Sequence, residues 1–221
     1  MFHDALVPFA ERRIIKMKKF RIFLRFDKEE KWLEQMAGQG WLLSKKALFY
    51  SFRKIEPEAK TIRIDYREIN SANDFRDYCT LFEDSGWKHI AGTRSSGTQY
   101  FLKIDENSTD DIFSDTFSQA GRYKRLSNMW LSCAVIFIPF LMSMISGGWV
   151  NFNQLSAPKE WYLTPGLWKM EGISFWWAFL FETPFALMRG IGWLIPIFAM
   201  LVYIGFAIKS WLIYRSETIC K

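Results

Sequence analysis

The sequence predicts a mixed α+β unit followed by a C-terminal transmembrane helical hairpin, and three observations carry that prediction. Charge is unevenly spread: positions 1–125 hold 23 of the 29 Lys and Arg and 19 of the 23 Asp and Glu, which leaves six and four for positions 126–221. Eight of the eleven Trp fall in that second stretch, beside two long uncharged runs, a pattern that suits a bilayer and argues against a wholly soluble protein. The charged part also repeats itself. RIFLR at 21–25 matches RIDYR at 63–67, and each is followed by a helical stretch, by Gly-Trp (GQGW ending at Trp41, DSGW ending at Trp87) and by a hairpin-like stretch closing on Tyr50, Phe52, Arg53 or on Tyr100, Leu102, Lys103.

Residues 1–16 form a short apolar patch preceded by an acid and followed by two arginines, the reverse of a secretory signal. They are expected to be a disordered leader, or an extension ahead of a start at Met17. The cytoplasmic α+β domain is expected over 17–105. In its first strand Phe20, Ile22, Leu24 and Phe26 share one face and Arg21, Phe23 and Arg25 the other; in its third, Ile62, Ile64 and Tyr66 oppose Arg63, Asp65 and Arg67. Asp27 with Glu30 reads as a capping pattern opening a first helix, with Gly38 and Gly40 as its stop. Ser71 with Asp74 opens a second, on which Phe75, Tyr78, Cys79 and Phe82 share a face and Gly86 is the stop. The order strand, helix, strands, strand, helix, strands is that of a ferredoxin-like sandwich, a single sheet with both helices on one face. In such a sheet the two arginine-bearing strands are central neighbours, so Arg21, Phe23, Arg25, Arg63, Asp65 and Arg67 are expected on one open face. That face is either solvated and knitted by Arg–Asp pairs or a surface docking an anion or a partner protein. It lacks the aromatic strand of an RNA-recognition fold, which argues against nucleic acid.

Residues 106–125, preceded by Asp105, run from acid to base (Glu106 to Asp115, then Arg122, Lys124, Arg125) and predict either a stalk helix capped by Ser108 or Thr109 or a solvated linker with a basic anchor at the membrane. The first transmembrane helix is expected over 126–146, with Trp130 and Trp149 at its interfaces and Pro139 within, and the second over 190–214, with Trp193, Trp211 and Tyr214 as anchors and Pro196 in its first turns. Between them, 147–189 is expected to be an aromatic-rich outer loop. Its ISFWWAFLF run, too short to cross a bilayer, lies as an interfacial or re-entrant helix with Trp176 and Trp177 at headgroup depth; the alternative is a third span over 173–188 that buries Glu182. Basic residues flank both spans, so the N-terminus and the 215–221 tail are expected in the cytoplasm of a multi-pass cell-membrane protein.

The strings MKKFRIFLRFDKEEKWLEQMAGQGWLL and FEDSGWKHI, with basic residues and two hydrophobic segments after them, resemble the bacterial family known as domain of unknown function 2812 over residues 17–105 and the placement of the membrane hairpin. The resemblance implies a small membrane-anchored protein of Gram-positive bacteria, often encoded beside PadR-type repressors, with no assigned reaction and no functional residues to carry over.

Catalytic signals are sparse. Cys79, Cys133 and Cys220 are isolated, so neither a disulfide framework nor a metal site is expected. His3 sits in the leader, and His89 lies on a strand without a Cys or Ser placed to make a triad. There is no nucleotide loop or nucleophile elbow, and neither catalytic residues nor a cofactor are expected. The reading favoured is a non-enzymatic membrane-anchored regulatory or sensory module whose sandwich docks a partner such as a transcription regulator. The alternative is an accessory of a membrane transporter or resistance system, or a membrane enzyme using Glu182.

Overall fold

The computed structural model describes residues 16–150 and 152–219. It divides into two compact units, one ending at Arg122 and one beginning at Tyr123. The leader expected over residues 1–15 and the Cys220–Lys221 end of the tail lie outside the described residues.

The first unit holds β1 (Lys16–Lys19), α1 (Phe26–Gly38), β2 (Trp41–Lys46), β3 (Tyr50–Lys54), β4 (Ile62–Tyr66), α2 (Ala72–Asp84), β5 (Trp87–Ala91) and β6 (Thr98–Lys103). These strands form two three-stranded antiparallel sheets, ordered β1-β3-β2 and β4-β6-β5, in place of the single sheet of a ferredoxin-like sandwich. The duplication is nonetheless exact in topology, since each half is strand, helix and hairpin with the last strand in the middle. It extends to the irregularities. Each hairpin has a register shift three residues after its Gly-Trp, between Leu43 and Lys45 in one and between His89 and Ala91 in the other. Gly40 and Gly86 both sit at φ 84°, where a side chain would be strained, and an added Cβ would come within 2.9 Å of the Ile55 carbonyl at the first and 2.8 Å of Ser108 at the second. Each glycine carbonyl then accepts from the chain leaving its hairpin, the N–H of Ile55 or of Ile104, both at 2.9 Å.

The ladders align the halves one residue differently from the sequence match. Trp41 opposes Lys54 and Trp87 opposes Lys103, so Phe52 corresponds to Phe101 and Tyr50 to Gln99. Because side chains alternate across a strand, a one-residue offset moves Tyr100 to the opposite face from the one that Tyr50 would imply. Phe101 lies with Tyr78 and Trp87 in a core under α2, joined by Phe75, Cys79 and Phe82. Tyr100 and Leu102, opposite Ile64 and Ile62, fill the other face.

The expected first strand over residues 20–26 is a correction. β1 lies earlier because β3 gives it only the stretch from Arg53 to Tyr50 to pair with, and beyond Tyr50 the hairpin turns away. Freed from a ladder, the chain rotates Phe23 toward Trp32 (ring centroids 5.3 Å) and Tyr50, and leaves Phe20, Ile22 and Leu24 exposed. The capping expectations divide. Ser71 accepts from the N–H groups of Asn73 and Asp74, as its spacing predicts, whereas α1 starts after Arg25 without a side-chain cap.

A long helix, α3 (Thr116–Ser146), follows. The acidic stretch ahead of it is not the expected stalk helix: Asp105 accepts from the N–H of Asn107 and Asp111 from that of Phe113, and such local side-chain bonds compete with helical ones. Asp115 is the cap, accepting from the Ser118 N–H at 2.7 Å, in place of Ser108 or Thr109.

In the second unit α3 ends where the first apolar run was expected to end and contains Pro139. Short 3-10 turns at Phe152–Ser156, Pro158–Trp161 and Leu167–Lys169 lead to α4 (Gly172–Ile191) and α5 (Leu194–Ile219). α4 runs unbroken through Glu182 and Pro184. α3 and α5 are packed together, with Trp130 against Tyr203 and Phe206, Phe137 against Tyr203, and the Ser127 hydroxyl donating to the Ala207 carbonyl at 2.8 Å. By length and composition these two helices can cross a membrane.

Candidate functional site

The strongest concentration of buried polar chemistry in the first unit lies on one face of α1. Glu29 and Glu30 are adjacent and both buried, which places two carboxylates against different neighbours. Glu29 Oε1 accepts from the Tyr50 and Tyr100 hydroxyls, each at 2.7 Å, so one tyrosine from each half meets on a single oxygen. Lys46 stands 3.8 Å from the Tyr50 ring centroid. Burial pushes the Glu29 carboxyl above its ordinary range against the opposing pull of the two hydroxyls, Lys46 and Arg122, and pushes the Tyr100 phenol up as well. Burial likewise lowers Lys46, with Glu29 opposing it.

Glu30 serves a different partner. Arg122, on the first turns of α3 and fully buried, donates through Nη1 to Glu30 Oε1 at 2.6 Å and to the Ile64 carbonyl at 2.8 Å, and through Nη2 to Asp27 Oδ1 at 2.7 Å. Its guanidinium also lies over Phe26 and Phe113. Asp27 and Glu30, the pair whose spacing resembled a capping box, are therefore consumed by an arginine 92 positions or more away. Glu30 Oε1 also accepts from the Ile64 N–H, and Glu34 Oε1 from the Ile62 N–H at 3.3 Å and from Arg63. α1 thus satisfies the edge of β4 that no strand among the described residues pairs. Burial raises the Glu30 carboxyl, and Arg122 is the largest opposing influence.

The six residues expected on one open face do not share it. Asp65 is buried under α2, accepting from the Tyr78 hydroxyl at 2.9 Å, and Arg63 turns to Glu34. Arg67 lies over the Tyr78 ring with its Nε 3.8 Å from Asp65. Arg21 rests against the Phe23 and Trp32 rings, and Arg25 pairs with Asp27. The reason is that the face of β4 expected to be open packs under α2, where Asp65 meets Tyr78, while Ile62, Ile64 and Tyr66 are buried on the opposite face, so no face of β4 remains open. Sequence inspection missed Arg122 and the Glu29–tyrosine cluster. The signal was present as two adjacent glutamates among the apolar positions of α1, but their partners are set by tertiary packing. Cys79 packs as a core residue, and burial raises its thiol; His89 Nε2 lies 3.0 Å from Gln99 Oε1 between Phe75 and Phe101.

In the second unit Glu182 accepts from the backbone N–H groups of Leu163 and Thr164, and Arg189 donates to the Trp161 carbonyl. Both of its oxygens are thus engaged in holding the turn at 161–164 against α4. Of the residues expected at the membrane interface, Trp149, Trp176 and Trp177 are exposed, and Trp211 and Tyr214 carry Arg215 and Lys124 over their rings. Trp193 is a correction: it is buried, with its indole N–H on the Gly190 carbonyl and its ring edge-on to Phe152, because the two-residue joint between α4 and α5 folds it inward. Among the described residues no group of three or more His, Cys, Asp or Glu is placed to hold a metal ion.

The arrangement defines a class: an α+β unit built from a duplicated strand-helix-hairpin, continuing through one helix into long apolar helices. Half of the chain, residues 25–135, matches the family described as Protein of unknown function (DUF2812), and the chain belongs to that family. No curated protein and no solved structure shows a significant match to it.

Proposed function

We propose that this protein is a non-enzymatic, membrane-anchored regulatory or sensory module, with α3 and α5 as its spans, both chain ends in the cytoplasm and the aromatic 147–189 segment outside. The observation that supports this most is Arg122. A fully buried arginine near the start of the helix that continues into the apolar segment is held by two carboxylates and a strand carbonyl of the α+β unit. A displacement of that helix has to move or break this latch, whose cost is large because a buried ion cannot be left without partners. The α+β unit is thereby suited to report the state of the membrane segment to a bound regulator.

The test is capture from native membranes with the tagged full-length chain, compared with an Arg122→Lys variant that keeps the charge and loses the fork geometry. A cytoplasmic transcription regulator retained by the first and lost by the second supports the module. A polytopic transporter as the sole partner moves the protein to the accessory class. A membrane enzyme working through Glu182 has less support, because both carboxylate oxygens already accept backbone N–H groups.

A further inference from the structure

Charge within the α+β unit is segregated between its parts. Residues 16–25 and 41–54, which comprise the first sheet and the segment after β1, hold nine Lys and Arg and no Asp or Glu, a formal +9. The remainder of the unit, residues 26–40 and 55–122, holds ten basic residues against 17 acidic ones, a formal −7. Of the nine, Arg25 alone is directly paired with a carboxylate among the described residues.

The strand register concentrates this charge. Lys16 stands directly opposite Arg53, and Lys18 and Lys45 flank Ser51 from either side, so four exposed cations share the outer face of a three-stranded sheet. Like charges opposite one another destabilise a sheet, and here nothing within the described residues offsets them. Beside them, Phe20, Ile22, Leu48 and Phe49 are exposed at 58, 73, 69 and 46 %, with the two phenyl rings 5.7 Å apart. They come from the segment after β1 and from the tip of the β2–β3 hairpin, neighbours in space although 28 residues or so separate them in the chain. A patch of aliphatic and aromatic side chains bordered by lysines fits a lipid surface with anionic headgroups: the ammonium groups meet phosphate while the apolar tip enters the headgroup–acyl boundary. Aliphatic Ile22 and Leu48 have no use on a nucleic acid, and lysine-rich, weakly directional charge suits a diffuse anionic plane better than a defined carboxylate pattern.

We infer that the first sheet, through Lys16, Lys18, Lys45 and Arg53 and the apolar tip at Phe20, Ile22, Leu48 and Phe49, binds the anionic leaflet of a bilayer. This deepens the membrane-anchored reading and rests on it. It would make leaflet charge, and not only the spans, a determinant of whether the α+β unit is free to meet a partner.

The experiment uses the full-length chain in vesicles of neutral phosphatidylcholine alone or with phosphatidylglycerol. A single environment-sensitive label is placed by Leu48→Cys after replacement of Cys79, Cys133 and Cys220 with Ser. Emission is expected to rise several-fold in anionic vesicles only and to fall back as salt is raised, and Lys16→Gln, Lys18→Gln, Lys45→Gln, Arg53→Gln combined should abolish the rise while the far-ultraviolet dichroism is unchanged. Protein that does not float with either vesicle overturns the membrane reading, and this proposal with it. Protein that floats with an unresponsive label overturns the proposal alone. An equal rise in both vesicles removes the role assigned to the cations, and a response to a soluble polyglutamate chain but not to anionic vesicles assigns the surface to an acidic protein instead.

Discussion

The two halves of the α+β unit share one backbone and part company in their side chains. Superposing them by ladder register sets Trp32 against Tyr78, Met36 against Phe82 and Phe52 against Phe101, all of which serve the core under the respective helix. One turn earlier the equivalence breaks, because Glu29 and Glu30 of α1 correspond to Phe75 and Arg76 of α2. The second half keeps an aromatic there, packed edge-on to His89, whereas the first spends the same two positions on a tyrosine pair and a buried arginine. A duplicated fold therefore needs its hairpin glycines and core aromatics in both copies, while the polar positions are free to diverge into whatever joins the copies to each other and to α3.

The largest test of that difference is Arg122→Met, which leaves Glu30 and Asp27 as carboxylates with their main partner gone. A loss of about 3–5 kcal/mol is expected, read as a lowered unfolding midpoint of the α+β unit in detergent. In the second half the position of Glu30 is held by Arg76, which makes only an exposed hydrogen bond to Asn73, so Arg76→Met should shift the midpoint very little. Equal effects would mean that the latch carries no special weight.

The shared core should answer symmetrically. Phe52→Ala and Phe101→Ala are both fully buried losses, expected at about 3–4 kcal/mol each by chemical denaturation. Next come the glycines. Gly40→Ala and Gly86→Ala each combine a positive φ with a close approach, and about 1–3 kcal/mol is expected from either. An unaffected stability at one site would show that its hairpin can relax where its counterpart cannot.

The smallest equilibrium effects separate the helix starts. Ser71→Ala should cost about 1 kcal/mol, since it removes an acceptor for two N–H groups, whereas no cap is lost on changing Arg25. Glu29→Gln tests pH dependence. Its carboxyl is raised by burial, so the folded unit binds a proton more tightly than the unfolded chain; that stabilisation is complete below the ordinary value of 4.5 and is lost as pH rises through the raised one. The unfolding midpoint of the variant relative to the parent should therefore increase from acid toward neutral pH. A difference that stays constant over that range would mean that Glu29 titrates as an exposed glutamate does.

Much of this was set by local chemistry alone. The apolar runs around Pro139 and Pro196, the Gly-Trp signals, the Ser71 cap and the apolar face of α2 all depend on interactions within a few residues, which sequence spacing records directly. The alternation of 62–66 was also legible, but which of its faces would be covered was not, because that depends on the strand beside it. Pairing of β4 with β6 instead of the first strand put Asp65 under α2 and dispersed the arginines, and a one-residue difference in ladder register reversed the side on which Tyr100 lies. Arg122, Glu30 and the Glu29–tyrosine cluster join positions 21 to 95 apart in the chain. Separations of that size leave no period in a sequence; only the closure of the two sheets around α1 selects which buried charges meet, since each must find a partner wherever packing has placed one.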